Sequence, residues 1–254
     1  MDSQVTGYRW TSATRSDVGR VREGNEDSVF TNRESGVFVV ADGMGGHAAG
    51  EVASAIASRT IGDSACRECG SLESLSEQMV NAFLEAGREI SRQVDQDPSR
   101  AGMGTTATVL RLRRDGTFLI AHIGDSRAYL SRNGDFRRVT HDHSWVQEQV
   151  DRGLLPPEKA AGHPQSNIIT RALGTDPSPT PDLYPGELHE GDLFLLATDG
   201  LTDMVSEDEI AAILRDGGSL EETAVELVAA ANRAGGVDNV TVLLVRVVAA
   251  DDPS

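Results

Sequence analysis

The chain has 254 residues, of which 39% are hydrophobic and 25% are charged, and its formal net charge is -17. This length allows a substantial core and fits one large domain. Nucleic acids are bound through clustered Lys and Arg, so the negative charge argues against a nucleic-acid partner. No apolar run reaches the roughly 18 residues that cross a bilayer, and the first ten residues lack the features of a signal peptide. We therefore expect a cytoplasmic protein with no membrane partner.

The hydrophobic pattern predicts alternating groups of strands and helices. Apolar runs predict strands, and 3.6-residue periodicity predicts helices. The strands are expected at 37–41, 106–112, 118–123, 193–198 and 240–248, and the helices at 48–61, 72–94, 144–152, 207–214 and 220–231. Asp115-Gly116 and Asn133-Gly134 each suit a tight hairpin turn, and sequential hairpins indicate an antiparallel sheet. The sequence therefore predicts a layered α+β domain.

The segment 154–184 is rich in proline and lacks a long periodic stretch. Such a segment is either an irregular lobe or lid over the main body, where substrate selection is often built, or a plain connector. Both interpretations remain open from the sequence.

The stretch FVVADGMGGHAAGE, residues 38–51, places a glycine cluster between a predicted strand and a predicted helix. Its letters match G-x-G-x-x-A, which favours a dinucleotide site, but the second strand and the acid that such a site requires are missing. A phosphate loop needs a Lys after the glycines, and no Lys or Arg occurs before Arg59. A dinucleotide-dependent oxidoreductase stays an alternative, and Asp42 becomes the better candidate for chemistry.

Four aspartates occur at the ends of predicted strands: Asp42, Asp125, Asp199 and Asp238. Any one of them could simply be a turn residue. Acids that converge at one sheet edge repel each other unless cations lie between them. Mg²⁺ or Mn²⁺ is the favoured cation, because both prefer oxygen ligands and the histidines lack the H-E-x-x-H pattern of zinc hydrolases.

The run Arg22-Glu23-Gly24-Asn25-Glu26-Asp27 places a guanidinium four residues before an acid pair. Arg offers a planar fork that suits phosphate oxygens. A solvated charge run is the alternative.

Cys66 and Cys69 form a single C-x-x-C. The pair could be redox-active or half of a zinc site, but no second pair completes a thiolate site. Surface or packing cysteines are the simpler interpretation.

Eight blocks in order, RVREGNED, VVADGMGGHAAGE, GMGTTATV, AHIGDSRAYL, HDHSWV, HPQSNIITRALG, LLATDGLTD and GVDNVTVLLV, resemble the PPM family of metal-dependent protein phosphatases of type 2C. The likeness is strongest to bacterial members and runs from about residue 20 to 247. It implies one phosphatase domain over 1–254 with a core at about 7–248. It also implies a four-layer α-β-β-α sandwich, in which two antiparallel sheets flanked by helices hold a metal centre in the cleft at one sheet edge.

The resemblance also implies roles for residues at matching positions. Asp42 is expected to bridge two metals, the Gly43 carbonyl to bind one, and Asp199 and Asp238 to complete the pair. Asp125 matches the acid of a third, weaker metal site.

Three further positions match the family. Glu26 and Asp27 match acids that bind metal directly or through water, and Arg22 matches the arginine that grips phosphate. The expected catalytic set is Arg22, Asp42, Asp199 and Asp238.

The activity implied is hydrolysis of phosphoserine and phosphothreonine by a water activated at a binuclear Mg²⁺ or Mn²⁺ centre. The expected partners are phosphorylated proteins, including Ser/Thr kinases and their substrates, and the chain is expected to be a monomer. A catalytically weak regulator that binds phosphoproteins on the same fold is the alternative. Met44 stands where many eukaryotic relatives have a His proposed as the general acid, so either water or His47 takes that role, with a helix-start role for His47 favoured.

Overall fold

The computed structural model describes residues 7–45, 49–160, 162–176 and 178–249. The strands are β1 (Tyr8–Asp17), β2 (Asp27–Asn32), β3 (Val37–Met44), β4 (Gly104–Thr105), β5 (Ala107–Leu112), β6 (Thr117–Ile123), β7 (Arg127–Arg132), β8 (Asp135–Arg138), β9 (Asp182–Glu187), β10 (Leu193–Ala197) and β11 (Val240–Ala249). The helices are α1 (Ala49–Ala65), α2 (Leu72–Gln96), α3 (Trp145–Asp151), α4 (Asp199–Thr202), α5 (Glu207–Arg215) and α6 (Leu220–Arg233), with 3₁₀ turns at Pro98–Arg100 and Pro157–Lys159. None of these helices is long and apolar enough to cross a membrane.

The strands form two antiparallel sheets. One sheet has the order β1-β11-β10-β7-β8, and the other has the order β2-β3-β5-β6-β9, with β4 pairing β3 at one end. The hairpin turns lie where the sequence predicts them, between β5 and β6 and between β7 and β8. Asn133 and Gly134 both adopt positive φ, at 54° and 85°, as a two-residue turn of type I′ requires.

Three apolar clusters define four layers. The first lies between α1 and α2 and the outer face of the β3-β5-β6 sheet, and includes Val39, Phe83 and Val109. The second fills the space between the sheets, where Phe118 and Phe194 meet edge to face at 5.0 Å. The third lies beneath α4, α5 and α6 on the other sheet. The predicted α-β-β-α sandwich is confirmed.

The helices begin where the sequence provides caps. Ser71 and Ser219 both form capping boxes at the starts of α2 and α6, and Ser144 accepts a hydrogen bond from Gln147 at the start of α3. The predicted helix bounds agree to within a few residues. Residue 48, the expected start of α1, lies outside the described residues, and the four-residue α4 was not predicted.

Two sets of strands differ from the prediction. The strand predicted at 37–41 continues to Met44, because Gly43 and Met44 pair with β4, so Asp42 lies within β3 rather than after it. The strands β1, β2 and β9 have mixed polar and apolar residues instead of apolar runs, and they lie at the sheet edges. β9 contains Pro185 and Gly186, which an edge strand tolerates.

The described part of segment 154–184 is mostly turns and is tied to the main body beside β4. Thr105 and Leu173 exchange two backbone hydrogen bonds of 3.0 and 2.9 Å, and Thr170 donates to the carbonyl of His143 at 2.8 Å. The Thr105 hydroxyl also donates to the carbonyl of Asp42 at 2.7 Å. The segment therefore borders the predicted site, and its last residues belong to β9.

Candidate active site

The two sheets bring four of the predicted acids to one edge of the sandwich. Asp27 and Asp42 are direct partners in the β2–β3 ladder. From the other sheet, Asp199 is the first residue of α4, just after β10, and Asp238 lies two residues before β11. The Thr198 hydroxyl links the sheets by donating a hydrogen bond of 3.0 Å to Oδ2 of Asp27.

Three of these carboxyl groups, those of Asp27, Asp42 and Asp199, repel each other at the inner end of the site, and the Asp238 side chain is 32% exposed. Burial raises the pKa of Asp27 to about 7 and that of Asp199 to about 6. Burial also raises the pKa of Asp42 well above its ordinary value, and the charges of Asp199, Asp27 and Asp125 add to the effect. The site therefore favours binding of positive charge.

Asp125 is only 7% exposed and lies close enough to Asp42 and Asp199 for their charges to interact. Burial, followed by the charge of Asp199, raises its pKa. The turn before it is clamped, because Gly124 and His143 exchange hydrogen bonds of 2.7 Å (His143 N–H to the Gly124 carbonyl) and 3.0 Å (Gly124 N–H to His143 Nδ1). Gly124 has a φ of 108° and packs so tightly on Thr106 that an added Cβ would lie 2.5 Å from the Thr106 Cβ.

Arg22 reaches the mouth of the site and is paired with an acid there. Its Nη2 donates to Oδ2 of Asp238 at 2.7 Å, with side-chain exposures of 53% and 32%. This hydrogen bond is the main reason that the pKa of Arg22 is raised. Burial raises the pKa of Glu26, and Arg22 partly offsets the effect.

The glycines of the opening motif allow close backbone approach. A Cβ on Gly43 would lie 2.1 Å from the carbonyl oxygen of Gly50 and 2.6 Å from that of Glu26. Only glycine fits there, and the backbone carries the Gly43 carbonyl beside Asp42. Met44 is half-buried at the end of β3 and its thioether packs against Gly104. His47, the alternative general acid, lies outside the described residues.

Two site residues were missed by sequence reasoning. Asn239 accepts the N–H of Glu26 at 2.8 Å and donates to the carbonyls of Val18 and Gly24 at 3.0 and 2.9 Å, so it holds the acidic loop against the site. Asp203 lies one helical turn after Asp199, and its charge raises the pKa of Asp199. Burial raises the pKa of Asp203 itself. The spacing of four in TDGLTD was the available signal.

The donor set fits hard divalent cations. Oδ1 atoms of Asp27, Asp125 and Asp199 are buried and have no hydrogen-bond partner, although buried polar atoms are almost always paired. Carboxylate and carbonyl oxygens are the ligands that Mg²⁺ and Mn²⁺ prefer. In the described part of the chain, no group of three or more Asp, Glu, His or Cys side chains is already arranged closely enough to hold a metal ion. The Arg22–Asp238 pair offsets part of the repulsion.

Comparisons with known proteins identify the family of the chain. The protein phosphatase 2C family matches residues 20–231. The chain belongs to the protein phosphatase 2C family. It is 40% identical over 237 residues to the serine/threonine phosphatase Stp of Listeria monocytogenes, which covers 91% of this chain and 93% of that protein.

Solved structures of this family have the same fold. The crystal structure of the Mycobacterium tuberculosis serine/threonine phosphatase PstP/Ppp superposes with a TM-score of 0.86 at 40% identity, covering 93% of this chain and 98% of that one. The catalytic domain of PstP in complex with two manganese ions gives 0.84 at 38% identity, covering 95% and 99%.

This chain is therefore an enzyme, a serine/threonine protein phosphatase of the 2C class, and its substrates are phosphorylated proteins. The findings support hydrolysis over the alternative of a weakly active phosphoprotein-binding regulator. The family also replaces the dinucleotide interpretation of the glycine cluster. The strand that leads into the cluster, β3, pairs antiparallel with β2 and β5 instead of forming a parallel β-α-β unit.

Proposed function

We propose that the chain hydrolyses phosphoserine and phosphothreonine with two Mn²⁺ or Mg²⁺ ions held by this cluster. The observation that carries the proposal is the convergence of buried carboxyl groups from both sheets, with raised pKa values and three oxygens that have no partner. Asp42, Asp199, Asp238 and the Gly43 carbonyl would hold the pair, with support from Glu26 and Asp27, and Asp125 would hold a third, weaker ion.

Divalent ions would supply Lewis acidity and a nucleophilic oxygen at neutral pH. The residues of the chain then position the substrate. Arg22 has five N–H donors, and the bond to Asp238 uses one of its nitrogens, so the remaining donors can bind two phosphoryl oxygens. Asp238 orients the guanidinium at the mouth of the site, where charge builds up on the phosphoryl group in the transition state.

The proton for the leaving alcohol comes from a group other than Met44. The Met44 thioether has no proton to donate and packs against Gly104. Water or His47, which lies outside the described residues, would supply this proton.

Further parts of the proposal concern the setting of the enzyme. We expect residues 7–248 to act as one domain and as a monomer in the cytoplasm, in signalling that opposes Ser/Thr kinases. The segment 154–184, tied to Thr105 beside Asp42, would shape the approach of the protein substrate.

The test measures hydrolysis of p-nitrophenyl phosphate and of a phosphothreonine peptide with Mn²⁺, with EDTA, and with Asp199→Asn. Of these three conditions, only the unsubstituted protein with Mn²⁺ should hydrolyse the substrates. Asp95→Asn removes an exposed carboxylate of α2 that is not one of the clustered acids, so it is the matched control and should keep full turnover with Mn²⁺. Normal turnover in EDTA would overturn the proposal, and activity of Asp199→Asn within a few fold of Asp95→Asn would remove Asp199 from the site.

A further inference from the structure

A second pocket lies at the end of the sandwich opposite the carboxylates. Its cavity measures about 440 Å³ and is lined by Trp10, Cys66, Cys69, Arg111, Arg113 and Arg114, among others. Arg111 pairs with Val37 at the start of β3, and Asp42 lies five residues along that strand. At about 3.3 Å per residue, the pocket lies about 17 Å from the active-site acids.

Arg111 is buried without a compensating anion. It is 9% exposed, its Nη1 donates to the carbonyl of Leu112 at 2.6 Å, and its Nε has no hydrogen-bond partner. No ion pair joins it to any carboxylate of the described chain. Burial accordingly lowers the pKa of Arg111. An unpaired buried cation is costly unless an anion or donor-acceptor network offsets it.

The neighbouring groups do not supply the missing anion. Asp115 is held by Arg113, whose Nε donates to its Oδ2 at 2.8 Å. Glu34 and Glu68 line the pocket but are exposed, and Glu68 acts on Arg111 only at long range.

The two thiols of the pocket do not supply it either. Burial raises the pKa of the Cys66 thiol, so Cys66 stays neutral near pH 7. Both cysteines are free. The C-x-x-C therefore lines the pocket without neutralising Arg111.

We propose that this pocket binds a small ligand that carries a phosphate or carboxylate group. The oxyanion contacts the Arg111 guanidinium, and the body of the ligand lies against Trp10. Arg114 already stacks over the Trp10 ring at 5.8 Å from its centroid and adds positive charge at the edge of the pocket. The cavity volume is within the range of small-molecule sites. The residues that line this pocket do not include any acid of the proposed metal centre.

The experiment compares thermal unfolding of the full chain and of Arg111→Met in EDTA, with increasing inorganic phosphate or acetate at constant ionic strength. A ligand that binds only the folded state multiplies the folding equilibrium constant by 1 + [L]/Kd. We expect the unsubstituted protein to be stabilised by at least one of the two anions, and Arg111→Met to lose most of that gain. The anion that stabilises the protein identifies whether the ligand carries a phosphate or a carboxylate group. Arg111→Lys, which keeps the charge without the fork, should respond only weakly.

Arg59→Met is the matched control. It removes the same charge from an 84% exposed side chain on α1, so it reports general salt effects and any phosphate bound at the active site. In a Trp145→Phe background, the fluorescence of Trp10, the remaining tryptophan of the chain, should change on titration and should not change after Arg111→Met. Equal stabilisation of Arg59→Met and Arg111→Met by both anions would overturn the proposal. The proposal would also be overturned if Arg111→Met lowered the stability by the same amount with and without the anion, because the guanidinium would then have only a structural role.

Discussion

Replacement of Asp199 by Asn should make the metal-free enzyme more stable while it abolishes turnover. Asp199 is buried among acids, and its pKa is raised from 3.8 to about 6. Above that pH the folded protein must hold the charged form against burial and against the neighbouring acid Asp203. Asn has nearly the same shape as Asp, but it carries no charge.

The expected size follows from the shift in pKa. One pKa unit corresponds to about 1.4 kcal/mol, so a shift of about two units costs about 3 kcal/mol when Asp199 is ionised. Because the titration of Asp199 is coupled to that of the neighbouring acids, which remain in the variant, we expect a smaller gain of about 2 kcal/mol at pH 8. For a protein of this length, that gain raises Tm by roughly 4–8 °C.

The direction of the pKa shift determines how the stability depends on pH. A carboxyl whose pKa is higher in the folded state contributes stability below its unfolded pKa of 3.8, and this contribution is lost as pH rises through about 6. The difference between Asp199→Asn and the unsubstituted enzyme should therefore be largest above pH 7 and vanish near pH 4.

Urea and thermal unfolding in EDTA at pH 5, 6, 7 and 8 measure this difference. Asp95→Asn changes the net charge equally and should show no such trend. If Asp199→Asn is less stable than Asp95→Asn at pH 8, the carboxylates are not in mutual repulsion and the argument for a cation site loses its basis.

Three other substitutions test separate parts of the structure. Arg22→Ala should lower kcat/KM for a phosphothreonine peptide by about 10²–10³-fold, because it removes the positive charge that stabilises the negative charge on the phosphoryl group in the transition state. A decrease of less than threefold would contradict this role. Gly124→Ala should destabilise the protein by about 2–4 kcal/mol in urea unfolding, since its Cβ would collide with Thr106 at a φ of 108°. Asp192→Asn should cost about 2–4 kcal/mol, because the carboxylate is fully buried and receives two bonds from Arg132 at 2.7 and 2.6 Å, and kcat per folded molecule should not change.

Much of the fold could be predicted because its elements are locally encoded. The hairpin turn at Asn133-Gly134 needs positive φ at both residues, and few sequences other than Asn-Gly provide it. The helices α2 and α6 start at serines that cap them. By contrast β1, whose burial alternates irregularly, is specified by its partner β11 over ten register pairs, and no local pattern reveals that partner.

The candidate site was predictable in part for a different reason. Asp-Gly pairs that follow apolar runs point to Asp42 and Asp199, and an acid just before an apolar run points to Asp238, because strand ends meet at a sheet edge. Asn239 could not be identified as a structural clamp from the sequence, since its three hydrogen bonds reach residues more than 200 positions away. Interactions of this kind exist only after the chain has folded.

The arrangement of the site connects the charge of the chain with its activity. A chain of net charge -17 repels a phosphorylated substrate at long range, so the site must reverse the field locally. In the described structure the guanidinium of Arg22 on Asp238 provides positive charge at the mouth of the site. Bound cations would add positive charge between the acids, and the phosphate would take over donors of Arg22. The same buried repulsion that lowers the stability of the metal-free protein thus provides the free energy that favours cation binding.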